Sequence, residues 1–235
     1  AIARALAGQG AAVTLHGLLA EAEGAAIAAS LPGAARYCRA DLTDPAAIAA
    51  LVAASAPDIL VNNAVTRHFG AIEAMDPAGW DRDLAVNLSA AFHAIRHALP
   101  GMRARGWGRI VNISSVYGLI GAVERVGYVA TKHALVGLTR AVALETAAVP
   151  GITCNALCPG SVPTEAIEAR LAAGMAARGE TDRGRAVAAF LAGKQPTGRF
   201  VAPEGIAAMA AFLCGPAGAD ITGAAIPLDG GWSAA

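Results

Sequence analysis

The stretch RIVNISSVYGLIGAVERVGYVATK, residues 109–132, decides the fold of this chain. It opens with Arg109–Ser114, an apolar run of strand length that leads into Ser115. It closes in a segment of helical period in which Tyr128 and Lys132 are four residues apart, so both side chains project from one helix face. An apolar strand followed by a long helix is typical of α/β proteins with a parallel sheet.

The rest of the chain repeats this alternation of strand and helix. One helix is predicted to begin near Asp44-Pro45, where aspartate caps and proline suits the first helical position. Two more are predicted over Trp80–Arg105 and Arg125–Ala148. The predicted strands are Ala12–His16, Ala35–Arg39, Ile59–Asn62, Arg109–Ser114, Ile152–Leu157 and Ala225–Leu228. The pattern favours a doubly wound parallel sheet, which binds ligands at the carboxyl ends of its strands.

A single domain is predicted over residues 1–235, because no repeat or low-complexity linker divides the chain. The segment Thr164–Gln195 is helical in period but interrupted by glycines, so we expect a mobile helical flap over a site. Ala1–Leu6 already has the pattern of a helix interior, with no capping residue before it. We therefore expect further residues before Ala1 in the natural protein.

The composition argues against several classes of partner. Alanine inflates the hydrophobic content of 55%, and no apolar run approaches the roughly 18 residues of a membrane-spanning helix. The 18 basic residues balance 18 acidic ones without a basic run, so neither nucleic acid nor a membrane is expected as a partner.

The four cysteines lack metal-site or disulfide spacing, which favours free thiols in the cytoplasm. His93 and His97 have a spacing that suits zinc but no third ligand, so no metal is expected.

The spacing of Tyr128 and Lys132 suits acid–base chemistry on an alcohol. A phenol, with a reference pKa of about 10, is a poor base at neutral pH, but a nearby ammonium stabilises the phenolate. Such a pair can remove a proton from an alcohol as a hydride leaves its carbon, or deliver one in reverse. Ser115 is placed to hold the substrate oxygen, and Asn87 to fix a water that links Lys132 to solvent. The alternative is a half-buried helix tyrosine beside a solvated lysine, and the pair alone does not exclude it.

Further motifs accompany the pair in order along the whole chain. They are Asp41, Asn62-Asn63-Ala64, Asn87, Asn112-Ile-Ser-Ser115, Tyr128-x-x-x-Lys132, Pro159-Gly160-x-Val162-x-Thr164 and Asp229-Gly230-Gly231-Trp232. With these motifs the chain resembles the short-chain dehydrogenase/reductase family. The resemblance implies a three-layer Rossmann-like fold and a catalytic set of Asn87, Ser115, Tyr128 and Lys132.

The same resemblance implies where a nicotinamide cofactor binds. It places Asp41 at the adenine, Asn63 at the cofactor ribose, and Val162 with Thr164 at the nicotinamide amide. The full set of implied cofactor positions is His16, Asp41, Leu42, Asn63, Ala64, Tyr128, Lys132, Pro159, Gly160, Val162 and Thr164.

Two features depart from the family pattern. The family's glycine-rich phosphate loop and the strand before it are not in this sequence, so we expect the sheet to lose its middle. Val65 stands where the family usually has glycine, and its branched side chain is expected to crowd the cofactor.

Cofactor choice in this fold depends on the residue at the end of one strand, which in this chain is the predicted strand Ala12–His16. An acidic residue there favours NAD, and an arginine favours NADP. This chain has His16-Gly17-Leu18 there, which is neither. No arginine or lysine lies between Arg4 and Arg36, so a 2′-phosphate has no evident partner. NAD is therefore favoured over NADP.

Within the family the chain looks most similar to D-3-hydroxybutyrate dehydrogenases, notably at residues 99–109 (LPGMRARGWGR) and 194–196 (KQP). Those enzymes hold a small carboxylate, and the resemblance places four residues of this chain in that pocket: Arg67, Tyr117, Arg125 and Gln195. Two arginines favour an anion, and Ser161 in place of a tryptophan opens space. We expect a hydroxy or keto acid, either 3-hydroxybutyrate or a somewhat larger relative. The alternative is that both arginines are ordinary surface charges.

Two other functions stay open. One is an NADPH-dependent ketone reductase, and the other is a non-catalytic nucleotide-binding regulator on the same fold. The intact catalytic set argues against the regulator, whereas Val65 and the absent phosphate loop favour it. The resemblance also implies a homotetramer, in which the helices over Trp80–Arg105 and Arg125–Ala148 pair between subunits. The acid, its stereochemistry and the direction of the reaction do not follow from the sequence.

Overall fold

The computed structural model describes residues 1–149 and 151–234, and within these ranges six strands alternate with nine α-helices. The strands are β1 (Val13–Gly17), β2 (Ala35–Arg39), β3 (Ile59–Asn62), β4 (Gly108–Ile113), β5 (Ile152–Pro159) and β6 (Ala225–Leu228). The helices are α1 (Ile2–Gly8), α2 (Glu21–Ala29), α3 (Pro45–Ser55), α4 (Pro77–Leu84), α5 (Ala90–Arg105), α6 (Val126–Thr146), α7 (Glu165–Arg178), α8 (Arg183–Leu191) and α9 (Pro203–Cys214). All six predicted strands are confirmed, with small shifts at their ends.

Hydrogen bonds divide the strands into two parallel groups. The strands β1 and β2 form one group, and the other has the order β3-β4-β5-β6. No described strand pairs with both β1 and β3, so the sheet lacks a hydrogen-bonded middle, as the sequence predicts. Because the strands of each group are parallel, their carboxyl ends meet at one edge, where ligands bind in such folds.

Helices cover both faces of the four-stranded group. On one face α3, α5 and α6 enclose a core that includes Ile48, Met102 and Ile110. On the other face α1 and α9 pack over a core that includes Leu6 and Val111. Ile110 and Val111 are successive residues of β4 and point to opposite faces, as alternation along a strand requires. The predicted three-layer arrangement is confirmed.

Aspartate–proline pairs begin two of the helices. Asp44 accepts a hydrogen bond from the Ala46 N–H at 2.8 Å before α3, which confirms the predicted start. Asp76 caps α4 in the same way before Pro77. The helix predicted from about Trp80 to Arg105 begins slightly earlier, at Pro77, and ends at Arg105 as predicted. A π-helical turn over residues 85–89, which the sequence did not predict, joins α4 to α5.

The predicted flap segment consists of two helices, α7 and α8. They separate at Gly179, whose left-handed φ of 62° ends α7, while Gly174 and Gly184 lie within helices. All four cysteines are free, and three of them are buried. Within the described ranges no helix combines the length and the apolar character needed to cross a membrane. In the same ranges no group of acidic, histidine or cysteine side chains is placed to hold a metal ion.

Candidate active site

The carboxyl end of β4 leads directly into the candidate site. Ser115 is 7% exposed and accepts a hydrogen bond from the Tyr117 N–H at 3.2 Å, which begins a short 3-10 turn. The Ser114 hydroxyl donates to the backbone oxygen of Lys132 at 3.0 Å. A Cβ at Gly118 would lie 2.8 Å from that same oxygen, so glycine permits this close approach to α6. The strand end and α6 are thereby fixed to each other.

Tyr128 and Lys132 lie in the first turns of α6, and both are buried. The Lys132 Nζ donates to the backbone oxygen of Ile113 at 2.7 Å and lies 5.7 Å from the centroid of the Tyr128 ring. Burial, and then the nearby charge of Arg67, lowers the pKa of Lys132 to about 7. Lys132 is enclosed, so the alternative of a solvated lysine is wrong. Its charge changes near neutral pH, beside the phenol that it is predicted to assist.

Asn87 lies in the π-helical turn between α4 and α5. Its side-chain oxygen accepts from the Thr66 N–H at 2.8 Å, and its amide donates to the Thr66 carbonyl at 2.9 Å and to the Thr131 hydroxyl at 3.3 Å. It thus joins the loop after β3 to α6. Turns of this kind often occur at functional sites, and hydrophobic periodicity does not reveal them, so this turn was not predicted within the helix. The predicted role of Asn87 in ordering a water stays a prediction.

Asp83 is a buried carboxylate that the sequence reasoning missed. It is 0% exposed and accepts from the Thr66 hydroxyl at 2.8 Å and from the His68 N–H at 3.3 Å. One of its oxygens also lies 2.9 Å from the His68 Nδ1. The sequence could have indicated it, because Asp83 lies four residues before Asn87 and the two therefore share one helix face. Together the two side chains fix residues 66–68 and therefore the segment that carries Arg67.

Two of the predicted substrate residues, Arg67 and Tyr117, contact the Tyr128 ring, and Arg125 lies beyond Tyr117. The Arg67 Nη2 lies 3.5 Å from the Tyr128 hydroxyl, and its guanidinium carbon lies 5.0 Å from the ring centroid. The Tyr117 ring packs edge-on against Tyr128 at a centroid distance of 6.3 Å. The Arg125 guanidinium lies 5.7 Å from the Tyr117 centroid and 4.4 Å from that of Phe69. Arg125 is therefore one aromatic ring farther from Tyr128 than Arg67 is.

Gln195 is buried beneath the loop that follows β5. Its side-chain oxygen accepts from the Ser161 N–H, and its amide donates to the Arg199 carbonyl at 2.7 Å. A Cβ at Gly160 would lie 2.9 Å from the Gln195 oxygen, so the glycine makes room for this contact. The amide of Gln195 thus supports the loop, and its predicted contact with substrate stays a prediction.

The positions predicted to bind the cofactor lie at or after the ends of strands. His16 in β1 is largely buried, burial lowers its pKa, and its Nδ1 has no hydrogen-bond partner among the described residues. The Asp41 carboxylate accepts from the backbone and the hydroxyl of Thr43, both at 2.9 Å, which lowers its pKa. The Asn63 side chain is exposed. The other positions at or after strand ends are Leu42, Ala64, Pro159, Gly160, Val162 and Thr164.

These groups fit a nicotinamide dinucleotide. An unpaired, neutral imidazole nitrogen at His16 and an exposed amide at Asn63 suit ribose hydroxyls, which both donate and accept hydrogen bonds. The Val65 side chain is 37% exposed, so it faces away from the core, and its predicted crowding of the cofactor stays a prediction.

Comparison with known proteins agrees with this arrangement. The sequence profile of the family described as enoyl-(acyl carrier protein) reductase matches residues 1–233. D-beta-hydroxybutyrate dehydrogenase of Rhizobium meliloti is 41% identical over 100% of this chain and 93% of that protein. The protein of the same name from Cupriavidus necator is 41% identical over 99% and 92%. A solved structure described as a short chain dehydrogenase/reductase family protein superposes with a TM-score of 0.86 at 33% identity, over 99% of this chain and 91% of that one. This chain belongs to the short-chain dehydrogenase/reductase family and is a nicotinamide-dependent oxidoreductase that acts on CH–OH groups.

Proposed function

We propose that this protein interconverts a short hydroxy acid and the corresponding keto acid with NAD as the hydride carrier. The observation that carries the proposal is the position of Arg67, whose Nη2 lies 3.5 Å from the Tyr128 hydroxyl. A guanidinium beside the acid–base group suits a substrate with a carboxylate close to the reacting carbon. The relatives named D-beta-hydroxybutyrate dehydrogenase support 3-hydroxybutyrate or a somewhat larger relative.

The proposed roles of the four catalytic residues follow from their contacts. In oxidation, the phenolate oxygen of Tyr128 takes the proton of the substrate hydroxyl, and in reduction it returns that proton. The protonated Lys132 stabilises the phenolate. Ser115 accepts a hydrogen bond from a backbone N–H, which leaves its own hydrogen free to donate to the substrate oxygen. Asn87 holds the adjoining loop in place. The bound nicotinamide accepts or supplies the hydride.

NAD is proposed to contact His16, Asp41 and Asn63, with Val162 and Thr164 at the nicotinamide amide. One observation favours the alternative of NADP. The Arg39 Nε lies 3.4 Å from the Leu18 carbonyl, so a guanidinium is beside the end of β1, where sequence spacing showed no cation. Arg39→Ala distinguishes the two cofactors. It is expected to leave the KM for NAD almost unchanged, whereas a large rise in the KM for NADP alone would favour the NADP reading.

Turnover of a substrate panel tests the proposed reaction. The full-length protein is assayed by nicotinamide absorbance with NAD and NADP, against both enantiomers of 3-hydroxybutyrate and against neutral alcohols such as 2-butanol. Arg67→Ala is expected to raise the KM for the acids by about tenfold, because it removes a charge-assisted hydrogen bond. Arg125→Ala is expected to raise the KM for the acids less, because Arg125 lies one aromatic ring farther from Tyr128. Equal effects on acids and neutral alcohols would mean that Arg125 is an ordinary surface charge.

The other functions give different results in the same assay. Preferential turnover of neutral ketones with NADPH would identify a ketone reductase. Tight binding of NAD without turnover of any substrate would favour a non-catalytic regulator, and Val65→Gly would then be the first substitution to test.

We further propose a single domain over residues 1–235 in which α7 and α8 form a helical flap over the substrate.

We also propose a homotetramer in which α5 and α6 pair between subunits. Phe92 on α5 and Leu144 on α6 support this pairing, because their apolar side chains are 47% and 80% exposed. The three buried free thiols support a cytoplasmic location. Sedimentation equilibrium tests the assembly: a monomer at micromolar concentration would exclude a stable tetramer.

A further inference from the structure

Three cations meet on the flap side of the site. Arg125 precedes α6, Arg170 lies in α7, and Lys194 follows α8. Arg125 and Arg170 line the same cleft of about 280 Å³. Arg170 and Lys194 share the ring of Phe190, with cationic groups 5.6 and 4.6 Å from its centroid. Three separate elements of the fold thus bring positive charge to one place.

These cations have no acidic partner, although nearby arginines do. Arg183 pairs with Glu168 at 2.8 Å, and Arg185 pairs with Glu180 at 3.3 Å, both within the flap region. Among the described residues, no carboxylate lies within ion-pair distance of Arg125, Arg170 or Lys194. Glu124 lines the cleft but does not form such a pair. Glu168, Glu180 and Asp182 therefore neutralise other arginines, and no ion pair in the described part of the chain compensates this group.

The cations lie close enough to repel each other. The pKa of Lys194 is lowered, first by burial and then by the charges of Arg170 and Arg125. Positive charges held together against repulsion, with aromatic rings as their packing partners, are suited to an anionic ligand that supplies the missing negative charge.

We infer that Arg125, Arg170 and Lys194 form a distal anion subsite, and that the substrate is a hydroxy acid with a second carboxylate. The inference rests on the proposed function. Arg67 lies at the Tyr128 hydroxyl and suits the carboxylate near the reacting carbon, whereas the subsite lies beyond the Tyr117 ring. A substrate that reaches from one to the other is a dicarboxylate longer than hydroxybutyrate.

Selectivity between two matched substrates tests the subsite. The full-length protein is assayed with 3-hydroxyglutarate and 3-hydroxybutyrate, which differ in the second carboxylate. The parent is expected to have the higher kcat/KM for the diacid. Arg170→Ala and Lys194→Ala are each expected to lower the ratio of the two kcat/KM values by about tenfold, as loss of a charge-assisted hydrogen bond does. Arg178→Ala, an exposed arginine in the last turn of α7 that does not line the cleft, is the matched control and should leave the ratio unchanged.

Binding of glutarate gives a readout that does not require turnover. Calorimetry should show tighter binding of glutarate than of butyrate, and this preference should be lost in Arg170→Ala and Lys194→Ala but kept in Arg178→Ala. If the preference is found while no hydroxy acid turns over, the proposed reaction is wrong and the anion subsite stands. If hydroxybutyrate turns over but the diacid is not preferred, or if all three variants behave alike, the subsite is overturned while the proposed reaction stands.

Discussion

The two sides of the Tyr128 ring are built in opposite ways. On the side of β4 and α6, Ser115 and Lys132 are buried, and Lys132 donates to a strand carbonyl while Ser114 and Ser115 hold the strand end and its turn. On the flap side, Arg125 and Arg170 project from different elements, contact mainly aromatic faces and have no ion-pair partner among the described residues. The hydrogen bonds of the core therefore fix the β4 and α6 side, whereas the long side chains of the flap side are free to adjust to a ligand.

The β4 and α6 side is suited to proton transfer, and the flap side is suited to selecting the substrate. Proton transfer requires a fixed geometry, and backbone hydrogen bonds in a packed interior supply it. Recognition of a particular acid requires charge at a particular distance, and long side chains on a flap can supply it without disturbing the core. We therefore expect substitutions on the first side to change the rate or the stability, and substitutions on the second side to change the choice of substrate.

The largest expected effect is loss of the Tyr128 hydroxyl. Tyr128→Phe keeps the ring and its contacts with Tyr117 and Arg67 but removes the atom that we propose carries the proton. We expect kcat to fall roughly 10²–10⁴-fold with little change in stability. Steady-state kinetics combined with denaturant unfolding checks both. A variant that keeps most of its activity would show that the acid–base group lies elsewhere.

Removal of the Asp83 carboxylate is expected to act next most strongly. Asp83→Ala leaves the Thr66 hydroxyl and the His68 N–H without their buried acceptor, at a cost of about 1–3 kcal/mol in the free energy of unfolding. Urea unfolding measures this loss. Asp81→Ala, an exposed neighbour in the same helix, is the matched control and should change stability little. Equal losses in the two variants would mean that the buried contacts of Asp83 do not stabilise the fold.

The same comparison explains what the sequence predicts well. The strands follow from apolar patterning, and the shared helix face of Tyr128 and Lys132 follows from their spacing of four residues. The burial of Lys132 did not follow, and a solvated lysine stayed open until the structure enclosed it. The π-helical turn at Asn87 and the buried Asp83 did not follow, since each depends on hydrogen bonds to residues 66–68 across the fold. Arg170 and Lys194 were missed because their proximity depends on how two flap helices pack. Arg39 was missed for a similar reason, since it reaches Leu18 across two paired strands.

Arg67 links the two sides, and its charge is expected to set the pH dependence. Burial and Arg67 both lower the pKa of Lys132, to about 7. Arg67→Gln removes one of these causes, so the pKa of Lys132 should rise toward its ordinary value. The ammonium would then persist to higher pH, and the alkaline limb of the kcat profile should move upward. Arg125→Gln is the control, because Arg125 does not contribute to the lowered pKa. An unmoved limb in Arg67→Gln, or equal movement in both, would contradict this coupling.

The smallest expected effect concerns Glu124, the acid that lines the cleft beside Arg125 and Arg170. Its carboxylate is exposed and unpaired within the described residues, so it weakly opposes an anionic ligand. Glu124→Gln keeps the shape and should lower the Kd for glutarate by about twofold at low salt, with the gain disappearing as ionic strength rises. Glu145→Gln, at the far end of α6, should have no effect. Weaker binding of glutarate in Glu124→Gln would mean that the Glu124 carboxylate holds the cations in position. The cations of the flap side would then be fixed by the protein, as Ser115 and Lys132 are on the β4 side.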